Sequence, residues 1–71
     1  MQINRLFEIV YILLDKRIVT AKELAEHFEV SSRTIYRDID ILSSAGIPIY
    51  ATQGKRILFW YYFKSRRKYL D

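Results

Sequence analysis

Cysteine is absent from the 71 residues, which rules out a disulfide framework, a thiolate metal site and a cysteine nucleophile. Histidine occurs once, at His27, so a metal site built by this chain lacks its usual donors and His27 reads as a surface residue. Glycine occurs twice and proline once, and no glycine-rich phosphate loop can be traced. No pair of carboxylates stands beside a plausible cleft, so the expectation is a protein that is not an enzyme and needs no cofactor. No apolar run approaches the roughly 18 residues needed to span a bilayer. The apolar N-terminus is broken by Arg5 and Glu8 and has no small-residue cleavage site, unlike a signal peptide. These absences lead to the expectation of a cytoplasmic protein with no membrane partner.

What is present is apolar and aromatic. Half the residues are hydrophobic and 15% are aromatic, too many for a disordered chain, and the length allows one domain near the lower limit for a self-sufficient core. The net charge of +4 is unevenly placed. Residues 1–54 hold six Lys/Arg against seven acids, whereas residues 55–71 hold six against one. The basic character therefore belongs to the tail and by itself says little about nucleic acid.

The stretch from Ser31 to Gly46 organises the chain. Ser31 suits an N-cap, Gly46 suits the left-handed residue that ends a helix, and Pro48 forbids its resumption. Inside, Ile35, Ile39 and Leu42 share one face, and Arg33, Arg37, Asp40 and Ser44 share the opposite one. Thr34 and Tyr36 flank the outer face. A helix over 31–45 with a dry stripe inward and two arginines outward has the shape of a major-groove reader. Asp38 falls beside the dry stripe, and a half-buried carboxylate wants a partner.

The remaining segments arrange themselves around this helix. Residues 2–14 predict a first helix whose apolar face carries Ile3, Leu6, Phe7, Val10, Leu13 and Leu14, with Tyr11 and Ile12 outside it. Asp15, Lys16 and Arg17 read as a break, and Ile18-Val19 as a short strand in need of a partner. Thr20-Ala21-Lys22-Glu23 has the form of a capping box opening a second helix over 21–28 that buries Leu24, Ala25 and Phe28. Glu29 and Val30 make the turn, giving helix-turn-helix spacing. Residues 47–52 and 56–63 have strand character, with Gln53-Gly54-Lys55 as the reversal and Gly54 supplying positive φ. The fold class is thus mainly α with a small β-hairpin: a winged helix-turn-helix of three helices plus wing over 1–63, followed by a basic tail over 64–71 that frays.

Several spacings together resemble a known family. They are Arg5-Leu6-x-x-Ile9, Thr20-Ala21-x-x-Leu24-Ala25, Val30-Ser31-x-Arg33-Thr34-Ile35-Tyr36-Arg37-Asp38-Ile39 and Leu42-x-x-x-Gly46-x-Pro48-Ile49. Residues 1–54 are similar to the N-terminal domain of DeoR-like bacterial transcription regulators, most of all the subgroup with a WYL effector domain. The resemblance implies operator binding as part of a dimer, with a later domain that senses a ligand. Arg5 and Asp38 both belong to its pattern, which makes Arg5 the expected partner of that carboxylate, so Asp38→Asn should lower thermal stability more than DNA affinity. That later domain has no counterpart in these 71 residues, and the stretch after Lys55 departs from the glycine-containing wings of the family. It reads either as a divergent wing strand or as the terminus of a shortened reading frame.

Double-stranded DNA is therefore the expected partner. Arg33 and Arg37 are candidates for base edges or phosphates. Ser32 and Thr34 lie in a first turn whose free amides suit a phosphate. Tyr36 can reach a phosphate or a thymine methyl, and Lys55 and Arg56 present charge from the wing. A homodimer is expected through the aromatic run 59–63 or through the first helix. The alternatives are a winged helix that binds protein, or a regulator fragment with little function of its own.

Overall fold

In the computed structural model, residues 3–59 are described, and within them the order is α1 (Ile3–Lys16), β1 (Ile18–Thr20), α2 (Ala21–Phe28), α3 (Ser32–Ser44), β2 (Ile49–Ala51) and β3 (Arg56–Phe59). The strands form one antiparallel sheet in the order β1-β3-β2. β3 is central, pairing Val19 with Ile57 on one side and Ala51 with Ile57 on the other. The short strand over Ile18-Val19 thus finds its partner in the wing, as its sequence requires. The expected strand over residues 60–63 and the tail over 64–71 lie outside the described residues.

α2 and α3 begin, and all three helices end, for a local reason. Thr20 caps α2 in a complete capping box: its Oγ1 accepts from the Glu23 amide, and its own amide donates to the Glu23 carboxylate, both at 3.0 Å. Those interactions, first the Thr20 amide and then its side chain, hold the Glu23 carboxyl below its ordinary pKa. Ser31 caps α3 by accepting from the Thr34 amide at 3.2 Å. All three helices stop at a left-handed residue: Arg17, Glu29 and Gly46. After α3 the Gly46 amide donates to the Ser43 carbonyl and the Ile47 amide to the Leu42 carbonyl, the paired bonds of a Schellman ending. After α2 the Glu29 and Val30 amides make the same two bonds to Glu26 and Ala25.

The core draws on every element. Ile9 and Leu13 of α1, Leu24 of α2, Ile35 and Ile39 of α3, Ile49 of β2 and Ile57 of β3 are buried together. Each such side chain contributes about 1.5–3 kcal/mol by leaving water. The dry stripe of α3 is as the spacing predicts, with Ile35, Ile39 and Leu42 all buried.

Two expectations need correction. On α1 the buried stripe is Ile9 and Leu13, with Leu6, Val10 and Ile12 half-buried at its edges. Phe7 and Leu14, expected inside, are 70% and 61% exposed. The cause is that α1 is apolar almost all round, so which stripe turns inward is decided by its packing on β1 and β3. In the wing, Lys55 and not Gly54 takes positive φ, at 63°. The Lys55 amide donates to the Thr52 carbonyl and the Thr52 amide to the Arg56 carbonyl. The loop is therefore a three-residue reversal whose left-handed position falls one residue after the glycine.

Candidate nucleic-acid interface

α3 is the second helix of a helix-turn-helix unit. The three-residue turn Glu29-Val30-Ser31 joins it to α2, and the buried face of Ile35, Ile39 and Leu42 fastens it to the domain. Its opposite face, with Arg33, Arg37, Asp40 and Ser44, is exposed. Arg33 and Arg37, one turn apart, are both exposed, and among the described residues neither enters an ion pair or side-chain hydrogen bond. The Arg37–Asp40 pairing that would have made these arginines ordinary surface charge is not formed. Ser32 is exposed at the start of the helix, whereas Thr34 and Tyr36 are half-buried at the edges of the outer face. The Thr34 hydroxyl lies 3.1 Å from the Ser31 hydroxyl, so its first duty is to the cap.

The wing reaches the same side. Lys55 and Arg56 are exposed. The Lys55 carbonyl accepts from the Ala21 amide at 3.0 Å, which ties the tip of the wing to the first residue of α2. Beside that bond lies an open groove of about 400 Å³ whose lining includes Lys22, Ser32, Tyr36 and Lys55. Three elements thus meet there: the wing, the start of α2 and the start of α3. Of the seven residues read from the sequence, the groove joins Ser32, Tyr36 and Lys55, while Arg33, Thr34 and Arg37 follow along α3. Arg56 stands next to Lys55 on the central strand. Lys22 escaped the sequence reading, and like Lys55 it has no ion-pair partner among the described residues. A local signal existed, since Lys22 is the second residue of a capped helix that leads into the turn.

Beneath the outer face lies a buried charge. Asp38, only 3% exposed, receives two bonds from the Arg5 guanidinium of α1, from Nε to Oδ2 and from Nη2 to Oδ1, the second 3.2 Å long. The pairing expected from the sequence is present, and Asp38 is buried more deeply than expected. The hydrogen bond to Asp38 raises the Arg5 guanidinium above its ordinary pKa, so this end of the pair stays charged. His27 is exposed on α2 and meets Glu8 of α1 at 2.9 Å, the surface role its sequence position suggests. Among the described residues no cluster of His, Cys, Asp or Glu could hold a metal ion, and no helix is long and apolar enough to cross a membrane.

Comparison with known proteins agrees with this geometry. The helix-turn-helix (HTH) domain family matches residues 5–63. A curated relative, the uncharacterized HTH-type transcriptional regulator YobV of Bacillus subtilis (strain 168), is 56% identical over 54 residues. That stretch is 76% of this chain and 17% of the relative. No solved structure matches the chain. The matched family, the capped α2-turn-α3 unit and the three-stranded wing agree: the chain belongs to the HTH-domain family.

Proposed function

We propose that this chain is a sequence-specific double-stranded DNA-binding domain of a transcription regulator, of the DeoR-like, WYL-associated bacterial kind, working in the cytoplasm. The observation that carries the reading is the pair of exposed guanidinium groups on the outer face of α3, unengaged among the described residues. The relative's designation as a transcriptional regulator supports it. α3 enters the major groove, where Arg33 and Arg37 read base edges or grip phosphates. One arginine set against a guanine is worth about 1–3 kcal/mol of discrimination. Thr34, Tyr36 and Ser32 touch the adjoining backbone, and Lys55, Arg56 and Lys22 add phosphate contacts from the wing side.

Salt tests this directly. Duplex affinity should fall steeply with ionic strength, with a slope of about 0.9 per phosphate neutralised. Arg33→Ala and Arg37→Ala should each weaken binding about tenfold or more. Affinity indifferent to salt and to both substitutions would leave the domain as a protein-binding winged helix instead.

A second copy is the natural companion, because one such module buries only about 600–1,000 Å² against DNA. The surface that supports pairing is on α1, where Phe7, Tyr11 and Leu14 follow i, i+4, i+7 and lie open to solvent. The other expected pairing surface, residues 59–63, falls beyond the described residues except for Phe59, which closes β3 half-buried. Sedimentation should show concentration-dependent association that Tyr11→Glu abolishes. A monomer at high concentration refutes pairing through α1.

A further inference from the structure

The Arg5–Asp38 pair is a poor candidate for a stabilising device and a good one for a positioning device. Removing two charges from water costs about what their attraction returns, so buried ion pairs add little net stability and serve best to fix one arrangement among several. The need for such a device is visible on α3. Ile35, Ile39 and Leu42 decide which face of the helix turns inward, but apolar contacts have no direction of their own and do not by themselves fix its angle to the last few degrees. The guanidinium fork on Asp38 has direction, since both bonds hold only at one angle. Asp38 follows Arg37 directly, so its angle is Arg37's angle. With a helix radius of about 5–6 Å including side chains, a 20° rotation moves the outer face by about 2 Å. A hydrogen bond to a base edge does not survive that displacement.

We propose that Arg5 and Asp38 form the rotational pin of the reading helix: α1 grips α3 through this pair, and the grip decides which base edges Arg33 and Arg37 can reach. The inference rests on the DNA-reading function proposed above. It makes Arg5 and Asp38 positioning residues for sequence discrimination, while general attraction to DNA is left to the lysines and arginines of the surface.

The test compares a preferred duplex, selected with the native chain, with a scrambled duplex at one salt concentration. Arg5→Met with Asp38→Leu replaces the pair by apolar side chains and leaves net charge unchanged. This double variant should melt within a few degrees of the native chain or above it, because such replacements are neutral or stabilising. It should bind the scrambled duplex within about twofold of native and lose about tenfold of the preference, the worth of one bidentate base contact. Arg5→Lys, which keeps the charge and loses the fork, should melt lower and lose part of the preference. It carries the test alone if the double variant does not fold. A folded variant that retains the full native preference overturns the pin and leaves the DNA reading standing. A native chain that prefers no duplex overturns the DNA reading, and the pin falls with it.

Discussion

α1 and α3 are nearly equal in length, 14 and 13 residues, and both bury one stripe in the same core. They differ in what the rest of each helix carries. Nine of the fourteen residues of α1 are apolar, so its sequence fits more than one inward stripe. In α3 the apolar residues are Ile35, Ile39 and Leu42, the ring of Tyr36 and Ile41, which is 53% exposed, while charged and hydroxyl side chains make up the rest of the outside. The difference teaches that an amphipathic pattern specifies orientation only when the other face is polar. It also separates two kinds of outer surface. The outer face of α3 is polar and suits a nucleic acid, whereas that of α1 is apolar and suits another protein surface.

The sharpest way to break this comparison is to cut adjacent leucines on α1. Leu13 is fully buried and Leu14 is 61% exposed. Leu13→Ala should destabilise by about 3–5 kcal/mol, within the range for buried leucines. Leu14→Ala should stay within about 0.5 kcal/mol in dilute solution, where α1 faces water. Denaturant unfolding of both variants checks the pair, and equal losses would mean the inward stripe has been misplaced.

On α3 the corresponding contrast is between function and stability. Arg33→Ala and Arg37→Ala together should weaken duplex binding by about 2–6 kcal/mol if both contact bases. Their melting temperature should remain within about two degrees of native, since neither side chain has a partner among the described residues. Parallel melting and binding curves decide it, and a large loss of stability would assign the arginines to the fold.

The ends of the two helices provide a smaller contrast. α3 stops at Gly46, with φ of 92°, and α1 stops at Arg17, with φ of 72°. A Cβ at position 46 meets nothing within 4 Å, so Gly46→Ala isolates the conformational cost, about 1–2 kcal/mol. Thermal melts should show that loss without any change in the wing's hydrogen-exchange pattern.

The smallest effect belongs to α2, which stands between the two and is held at its start by the capping box. The Glu23 pKa is lowered in the fold, so its contribution is fully present above the unfolded carboxylate value and fades as pH falls through the lower folded value. Glu23→Gln does not titrate there. The native advantage over that variant should therefore shrink on acidification below about pH 4.5, and an advantage that grows would reverse the assignment.

Much of the fold is legible because its signals are local. The Thr20 capping box, the Ser31 cap, the Gly46 ending and the stripe of α3 all lie within a few residues of sequence. Even the Arg5–Asp38 pair, 33 residues apart, is legible, because a carboxylate beside a dry stripe demands a partner and the family pattern holds Arg5 with it. What stayed hidden depends on long-range pairing. The inward face of α1 is settled by the sheet, and Lys22 meets Lys55 across a groove only because β1 pairs with β3 and brings the wing tip to the Ala21 amide. The placement of positive φ at Lys55 is likewise a property of the closed hairpin, where the left-handed position follows the turn and not the residue best suited to it.

Selection of duplexes from a random pool at about 0.1 M salt, where charge attraction is screened beyond about 10 Å, measures the central claim most directly. The native chain should enrich one sequence, and the Arg33→Ala/Arg37→Ala chain should retain weak binding while enriching none. Enrichment of nothing by the native chain, or of the same sequence by both, would contradict the assignment of the outer face of α3 as the surface that reads DNA.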